Sequence, residues 1–331
     1  MANENIFHEA HLSSYNFLVT GGAGFIGSHI AEYLLKHNAG KVRVLDNMLN
    51  GFESNLDILR KYPAFEFIKG DIRNLDTCRQ ACDNIDFVSH QAAMGSVPRS
   101  IKEPFNTNDI NVGGFVNMLN AAVENKVQTF VYASSSSVYG DETTLPKIES
   151  KIGNCLSPYA VSKRADELYA EVFSKVYNLP VIGFRYFNIF GPRQDPDGPY
   201  AAVIPLFIKA LLQNKPAYIN GDGEQTRDFT FVDNAVQVNI KGMLTQNKDT
   251  FNKVYNVAVG ENFSINYLFN SICEGLKISA NPTYRSERDG DVRNSLADIS
   301  LAKKLLNYAP SVKFNEGLRS TIDFFGKAFQ I

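Results

Sequence analysis

The run NFLVT (16–20) opens directly into Gly21-Gly22-Ala23-Gly24-Phe25-Ile26-Gly27, after which Ser28-His29-Ile30 begins a helical pattern. Glycines three apart allow a tight strand-to-helix turn, a close approach of backbone to a ligand, and close packing of the helix on the sheet. The start of the helix then presents unpaired N–H groups and the positive end of its dipole, a ready site for a pyrophosphate. The segment therefore predicts the first βα unit of a parallel sheet that binds a dinucleotide.

The rest of the chain agrees with that start. Short β-branched or aromatic runs recur at 16–20, 42–46, 65–68, 86–89, 129–133 and 181–184, with longer amphipathic stretches between them, and 27–37, 105–125 and 158–177 read as helices. This alternation predicts an α/β fold, a Rossmann-type doubly wound parallel sheet. Beyond Arg185 the composition turns rich in Pro, Gly and Asp at 191–205 and again at 220–228, while KVYNVA (253–258) reads as a strand returning to the sheet. The expected division is a cofactor domain of 1–185 plus about 229–260, and a smaller, discontinuous C-terminal substrate domain of about 186–228 plus 261–331. Residues 1–14 read as a short extension ahead of the first strand.

Asp46 ends the second predicted strand, nineteen residues after Gly27. A carboxylate there can accept hydrogen bonds from both hydroxyls of an adenosine ribose and would meet a 2′-phosphate unfavourably, so NAD is the expected cofactor rather than NADP. Asn47 follows it, Asp71 and Ile72 end the third strand region beside the adenine, and the small residues of Gln91-Ala92-Ala93 let backbone line the cofactor after the fourth. The 33 basic and 35 acidic side chains leave a net charge of −2, so no whole-protein field gathers nucleic acid or an anionic membrane. Phosphate must be met locally. Cys78, Cys82, Cys155 and Cys273 lack zinc-ligand spacing and read as reduced thiols, with no metal expected. The N-terminus has neither a cationic segment nor a continuous apolar one, and no run reaches transmembrane length, so a cytoplasmic protein is expected.

The chemistry is carried by Tyr159 and Lys163 on a helix announced by Ser157-Pro158. A spacing of four puts both side chains on one face. An ammonium beside a phenol favours the phenolate, which makes the pair a candidate base near neutral pH. Upstream, the fifth strand ends in four serines, and Ser135 or Ser136 at the carboxyl end of a parallel strand can bridge a sugar hydroxyl to the phenol.

In order, GGAGFIGSH, Asp46-Asn47, HQAA, YASSSSVYG, SPYAVSK, RYFNIFGPRQ, RDFTFVDN and RDGDVRNSLAD resemble the extended short-chain dehydrogenase/reductase superfamily over essentially the whole chain. The likeness is greatest to UDP-hexose 4-epimerases, and FGPRQDPDGPYAAVIP looks like the bacterial UDP-N-acetylglucosamine 4-epimerases. The resemblance implies NAD held throughout a redox epimerisation. Tyr159 takes the O4 proton, C4 gives up a hydride, and the 4-keto sugar turns over before the hydride returns. Lys163 holds the ribose, and Ser135, assisted by Ser136, relays the proton.

It further implies Asn188 and Arg227 at the diphosphate, Tyr218 and Asn220 beside the uracil, Arg288 with Asp291 closing over the nucleotide, and Gly95, Ser96 and Val203 along the sugar. Arginine suits phosphate because its guanidinium can bind two oxygens at once. Ser295, three before Asp298, matches a gatekeeper that is a bulky tyrosine in enzymes confined to plain hexoses; the small serine implies room for a 2-acetamido group, hence UDP-GlcNAc and UDP-GalNAc. Ile110 departs from the family, whose members often carry a polar residue there. A homodimer paired through the helices at 105–125 and 158–177 is also implied, with Ala165, Leu168, Tyr169, Val172 and Val176 forming an apolar stripe.

Dehydratases and decarboxylases of the superfamily place an acid where Ser135, Ser136 and Ser137 stand, so dehydration is disfavoured. A UDP-uronic acid (UDP-GlcA or UDP-GlcNAcA) 4-epimerase needs the same residues and is the alternative. A silent NAD-sensing protein would keep the glycine turn without needing the phenol–ammonium pair.

Overall fold

A computed structural model describes residues 6–197, 201–287 and 293–329. Seven strands form one parallel sheet among them: β1 (Asn16–Thr20), β2 (Lys41–Asp46), β3 (Phe65–Lys69), β4 (Phe87–His90), β5 (Thr129–Ser135), β6 (Val181–Tyr186) and β7 (Lys253–Val257). Their order across the sheet is β7-β6-β5-β4-β1-β2-β3, and every pairing is parallel. Helices cover both faces, which is why the central strands are unbroken apolar runs rather than alternating ones; Phe17, Leu18 and Val19 are all fully buried. This is the expected Rossmann-type doubly wound fold, and the predicted returning strand takes its place at the edge as β7.

On one face lie α1 (Phe25–Lys36) and the long helix Val232–Leu244; on the other lie Leu75–Cys82, α2 (Gly114–Glu124) and α3 (Pro158–Tyr177). The amphipathic stretch at 105–125 is not one helix. Pro104–Asn108 is separated from α2 by a wider, π-type turn over Asp109–Gly113. The turn delivers Gly114 into close packing, where a Cβ would stand 2.5 Å from Ile72 Cδ1, and such turns commonly mark functional positions.

A second apolar core, rich in phenylalanine, is built by the helices Val203–Leu212, Ile265–Leu276 and Phe314–Ala328 around Phe190, Phe229, Phe231 and Phe314. The segment from Ala297 to Leu306 packs instead into the core of the main sheet. At the N-terminus Phe7 stacks on Tyr33 of α1. No helix of the described residues is long and apolar enough to cross a membrane.

Candidate active site

Strand order reverses at β1, which pairs with β2 on one side and β4 on the other. Crevices open at such switch points, outside the carboxyl ends of the strands. A cleft of about 530 Å³ lies there, walled by Gly21, Gly24, Phe25, Ile26 and Gly27 from the first turn, Asp46 and Asn47 after β2, Ile72 after β3, and Gln91, Ala92, Ala93, Gly95 and Ser96 after β4. Ser135, Tyr159, Lys163 and Asn188 line the other end. Residues separated by more than 160 positions thus share one cavity.

The turn fits a dinucleotide. Gly21 has φ +68°, and a Cβ there would meet Ala92 N at 2.7 Å; a Cβ on Gly27 would meet Gly21 O at 2.3 Å. The Gly24 that starts α1 offers no side-chain cap, so the orphan N–H groups of the first turn are left to the cleft. Asp46 is buried, its Oδ2 accepting from Ala23 N (3.0 Å) and its Oδ1 from Met48 N (2.8 Å). Burial pushes its carboxyl above the usual range, with those two amides opposing the rise. Each oxygen keeps acceptor capacity for a ribose hydroxyl. Asp71, by contrast, is held by both arms of Arg73 and by Asn47 Nδ2 (2.9 Å), and the hydrogen bond from Arg73 lowers its pKa to about 2. It stands behind Asn47 and does not line the cleft.

Helix α3 is placed by its ends. Ser157 Oγ accepts from Ala160 N (3.1 Å), Pro158 occupies the first turn, and Asn178 closes the helix in the left-handed conformation. Lys163 is buried and donates to Ala133 O (2.9 Å) at the end of β5 and to Asp166 Oδ2 (3.2 Å). Glu167, on the next position, accepts from Arg185 twice (2.8 and 2.9 Å), from Ser134 Oγ (2.7 Å) and from Arg164 (2.8 Å). Of the two serine candidates, Ser135 lines the cleft, with its Oγ also accepting from Ser137 N (3.1 Å), whereas Ser136 starts the short turn Ser136–Tyr139.

Other expected contacts lie outside this cavity. Val203 begins a helix just past Ala201 and Ala202, which do line it. Tyr218 and Asn220 belong to a short strand paired with Thr283–Arg285, and the Arg285 guanidinium stacks on the Tyr218 ring. Arg227 donates to Thr226 O (2.9 Å) and Arg293 O (3.3 Å). Ser295 N donates to Thr226 O (3.1 Å), so the two segments run side by side. Arg288 and Asp291 lie outside the described residues.

Ile110, the departure from the family already visible in the sequence, lines the cleft as an apolar contact. Other residues around the cleft escape sequence reasoning. Asn111, the neighbour of Ile110, is buried, accepting from Met94 N (2.7 Å) and donating to Met94 O (3.2 Å) and Ser162 Oγ (3.0 Å), which ties the 91–96 loop to α3. The only signal for it is an asparagine inside an apolar helical pattern. Tyr186 reaches the cleft from β6, bonded to Gln91 and Asn239, and Arg99 donates to Asn50 Oδ1 (3.1 Å) at the mouth.

Residues 17–258 match the model of the NAD dependent epimerase/dehydratase family. A putative UDP-glucose 4-epimerase of Methanocaldococcus jannaschii is 35% identical over 309 residues, covering 93% of this chain and 97% of that protein. The solved UDP-N-acetylglucosamine 4-epimerase from Methanobrevibacter ruminantium M1, in complex with UDP-N-acetylmuramic acid, is 39% identical with a TM-score of 0.90, over 95% of this chain and 99% of its own. The UDP-glucuronic acid 4-epimerase from Bacillus cereus, in complex with UDP-glucuronic acid and NAD, is 32% identical with a TM-score of 0.87, over 95% and 99%.

Proposed function

The chain belongs to the NAD-dependent epimerase/dehydratase family, and from that premise we propose that it interconverts UDP-GlcNAc and UDP-GalNAc by inverting C4 through a 4-keto sugar. At the coarser level it is an NAD-dependent UDP-sugar 4-epimerase. The observation that carries the reading is the single cleft in which the glycine turn, Asp46, Ser135, Tyr159, Lys163 and Asn188 meet. NAD bound there supplies a hydride acceptor and donor for C4 of the sugar. Tyr159 accepts the O4 proton as the hydride leaves and returns it when the hydride comes back to the other face, so each turnover is redox-neutral. Ser135 hands the proton between sugar and phenol. Lys163, fixed on the Ala133 carbonyl, places a positive charge at the cofactor end of the cleft. Asp46 holds the adenosine ribose.

We assign the sheet, 1–185 with about 229–260, to NAD, and about 186–228 with 261–331 to the nucleotide-sugar. Asn188 and Arg227 serve the diphosphate, and Tyr218 with Asn220 the uracil. Val161, Leu168, Tyr169, Val172 and Val176 stand outward on α3 near Phe105, which is 83% exposed. A stripe of that extent suits pairing with a second copy of the chain.

The acetylated sugar rests on Ser295. Its segment is held on both sides, with Asn294 bridged to Thr226 and Ala297 to Lys147, so the backbone around it has little freedom to yield. Incubation with UDP-GlcNAc, UDP-Glc and their uronic acids, with the C4 epimers read by chromatography, tests the substrate. Ser295→Tyr should then suppress UDP-GlcNAc turnover by about 5–150-fold relative to UDP-Glc, the equivalent of an overpacking cost of about 1–3 kcal/mol. An equal fall for both substrates, or none, rejects the assignment. Preferred turnover of a uronic acid would instead favour the UDP-uronic acid reading, which the likeness to the B. cereus enzyme keeps in play.

A further inference from the structure

Behind Lys163, on the side away from the cleft, lies a carboxylate that the reaction as described does not use. Asp166 is one turn further along α3 and only 1% exposed. Its Oδ2 accepts from Lys163 Nζ at 3.2 Å, while its Oδ1 is buried without a hydrogen-bond partner. Lys163 is 2% exposed and also donates to Ala133 O at 2.9 Å. An ammonium has three donors; these two contacts take one each, and the lysine also lines the cleft.

The surroundings make Asp166 the acid that acts on this lysine. On the same helix Glu167 is engaged by Arg185 of β6, by Arg164 and by Ser134 of β5. His90 of β4 is buried and bonded to Thr20 (2.8 Å); burial, and then the charge of Lys163, hold its imidazole down at about 3, so it is neutral. Tyr132 of β5 is buried, and burial raises its phenol well above the usual value, so it too is neutral. Burial lifts the Asp166 carboxyl to about 7, with Lys163 pulling it down and Glu167 pushing it up. As a source of stability this is a poor arrangement, because a buried carboxylate with one oxygen unsatisfied costs more than an apolar side chain in its place. As a means of fixing an ammonium it is effective.

Resting on the roles proposed for Tyr159 and Lys163, we infer that Asp166 is the positioning residue of Lys163, holding its ammonium at the cleft wall and offsetting part of the charge that the Tyr159 hydroxyl feels. The negative charge of an ionised Asp166 opposes the positive charge that the ammonium presents to the cleft, so its removal should move the pH profile of the reaction to lower pH.

The test uses the NAD-loaded enzyme and the UDP-sugar that it turns over. Asp166→Asn keeps the volume and an acceptor for the ammonium; both limbs of its kcat/KM profile should move to lower pH by about one unit, with bound NAD unchanged. Asp166→Glu should bring the limbs back. Independently of any change at 166, Tyr159→Phe protein carrying carbon-13 at the lysine ε-carbons, in which residue 159 cannot ionise, should show the Lys163 signal, identified by its absence on Lys163→Met, stepping near neutral pH as Asp166 ionises. Limbs that stay in place, a uniform fall in rate, or a Lys163 signal that is flat from about pH 5.5 to 8.5 would overturn the inference. A wild-type enzyme that epimerises no UDP-sugar would sink the reading of the site instead.

Discussion

Replacing Arg185 with Met tests how helix α3 is fastened to the sheet. Arg185 is 1% exposed; besides its two bonds to Glu167 it donates to Glu149 O (3.0 Å) and lies 4.9 Å from the centre of the Tyr139 ring. Methionine fills much of the volume but leaves the buried Glu167 carboxylate with Ser134 and Arg164 alone. Breaking a buried pair from one side typically costs about 3–5 kcal/mol. The two remaining donors argue for the lower end, about 3 kcal/mol, or roughly a hundredfold in the folding equilibrium. Urea titration at fixed NAD concentration should show the midpoint fall with its slope unchanged. Arg185→Met with Glu167→Met should recover most of the loss, since no buried charge is then stranded. The pH dependence follows from Glu167. Burial raises its carboxyl, but hydrogen bonding and charge from Arg185 outweigh that and leave it below its ordinary value. A depressed native pKa gives stability that is present above the unfolded value, about 4.3, and is lost as pH falls through the lower native one. The gap between wild type and Arg185→Met should therefore be full at neutral pH and narrow in acid. A loss below about 1 kcal/mol at pH 7, or a double variant that loses the sum of the two single changes, would refute the argument.

Gly27→Ala puts a Cβ against the backbone of Gly21 and Gly22, atoms that no rotamer change can move aside. At about 1–3 kcal/mol of strain, NAD released on denaturing the purified protein should fall well below one equivalent; full occupancy would mean the turn does not hold the cofactor. Tyr159→Phe should keep NAD and fold while turnover drops by roughly 10²–10⁴, and near wild-type rates would require another base. Val172→Glu places a charge on a side chain that is 52% exposed on the outer face of α3. Light scattering at micromolar protein should change from a dimer mass in wild type to a monomer mass in the variant, and a wild-type monomer counts against the paired helices.

What could be read in the sequence, and what could not, follows from the range of the interactions. The strands were legible because burial on both faces makes them continuous apolar runs, and α3 because Ser157-Pro158 starts it and Asn178 can adopt the left-handed turn that ends it. Tyr159 and Lys163 were legible for the same local reason, four residues on one helical face. Asp166 is equally local, yet its spacing of three from Lys163 on a helix with many charges gives no hint that it is buried; that depends on β5 and β6 packing against α3. Asn111 acts through Met94, and the Gly114 that follows its turn packs on Ile72 beyond the end of β3, so both partners come from other segments of the chain. The 294–297 segment is the extreme case. It is joined to Thr226 and to Lys147, about 70 and 150 positions earlier, so its place beside Arg227 arises from pairing between elements rather than from any pattern along the chain. Periodicity and motif spacing therefore reach the cleft walls built from successive strand ends. The expected contacts at 218–227 and 295 lie outside that cavity, in pairings between distant segments, and there only the likeness to a family gave residues in advance.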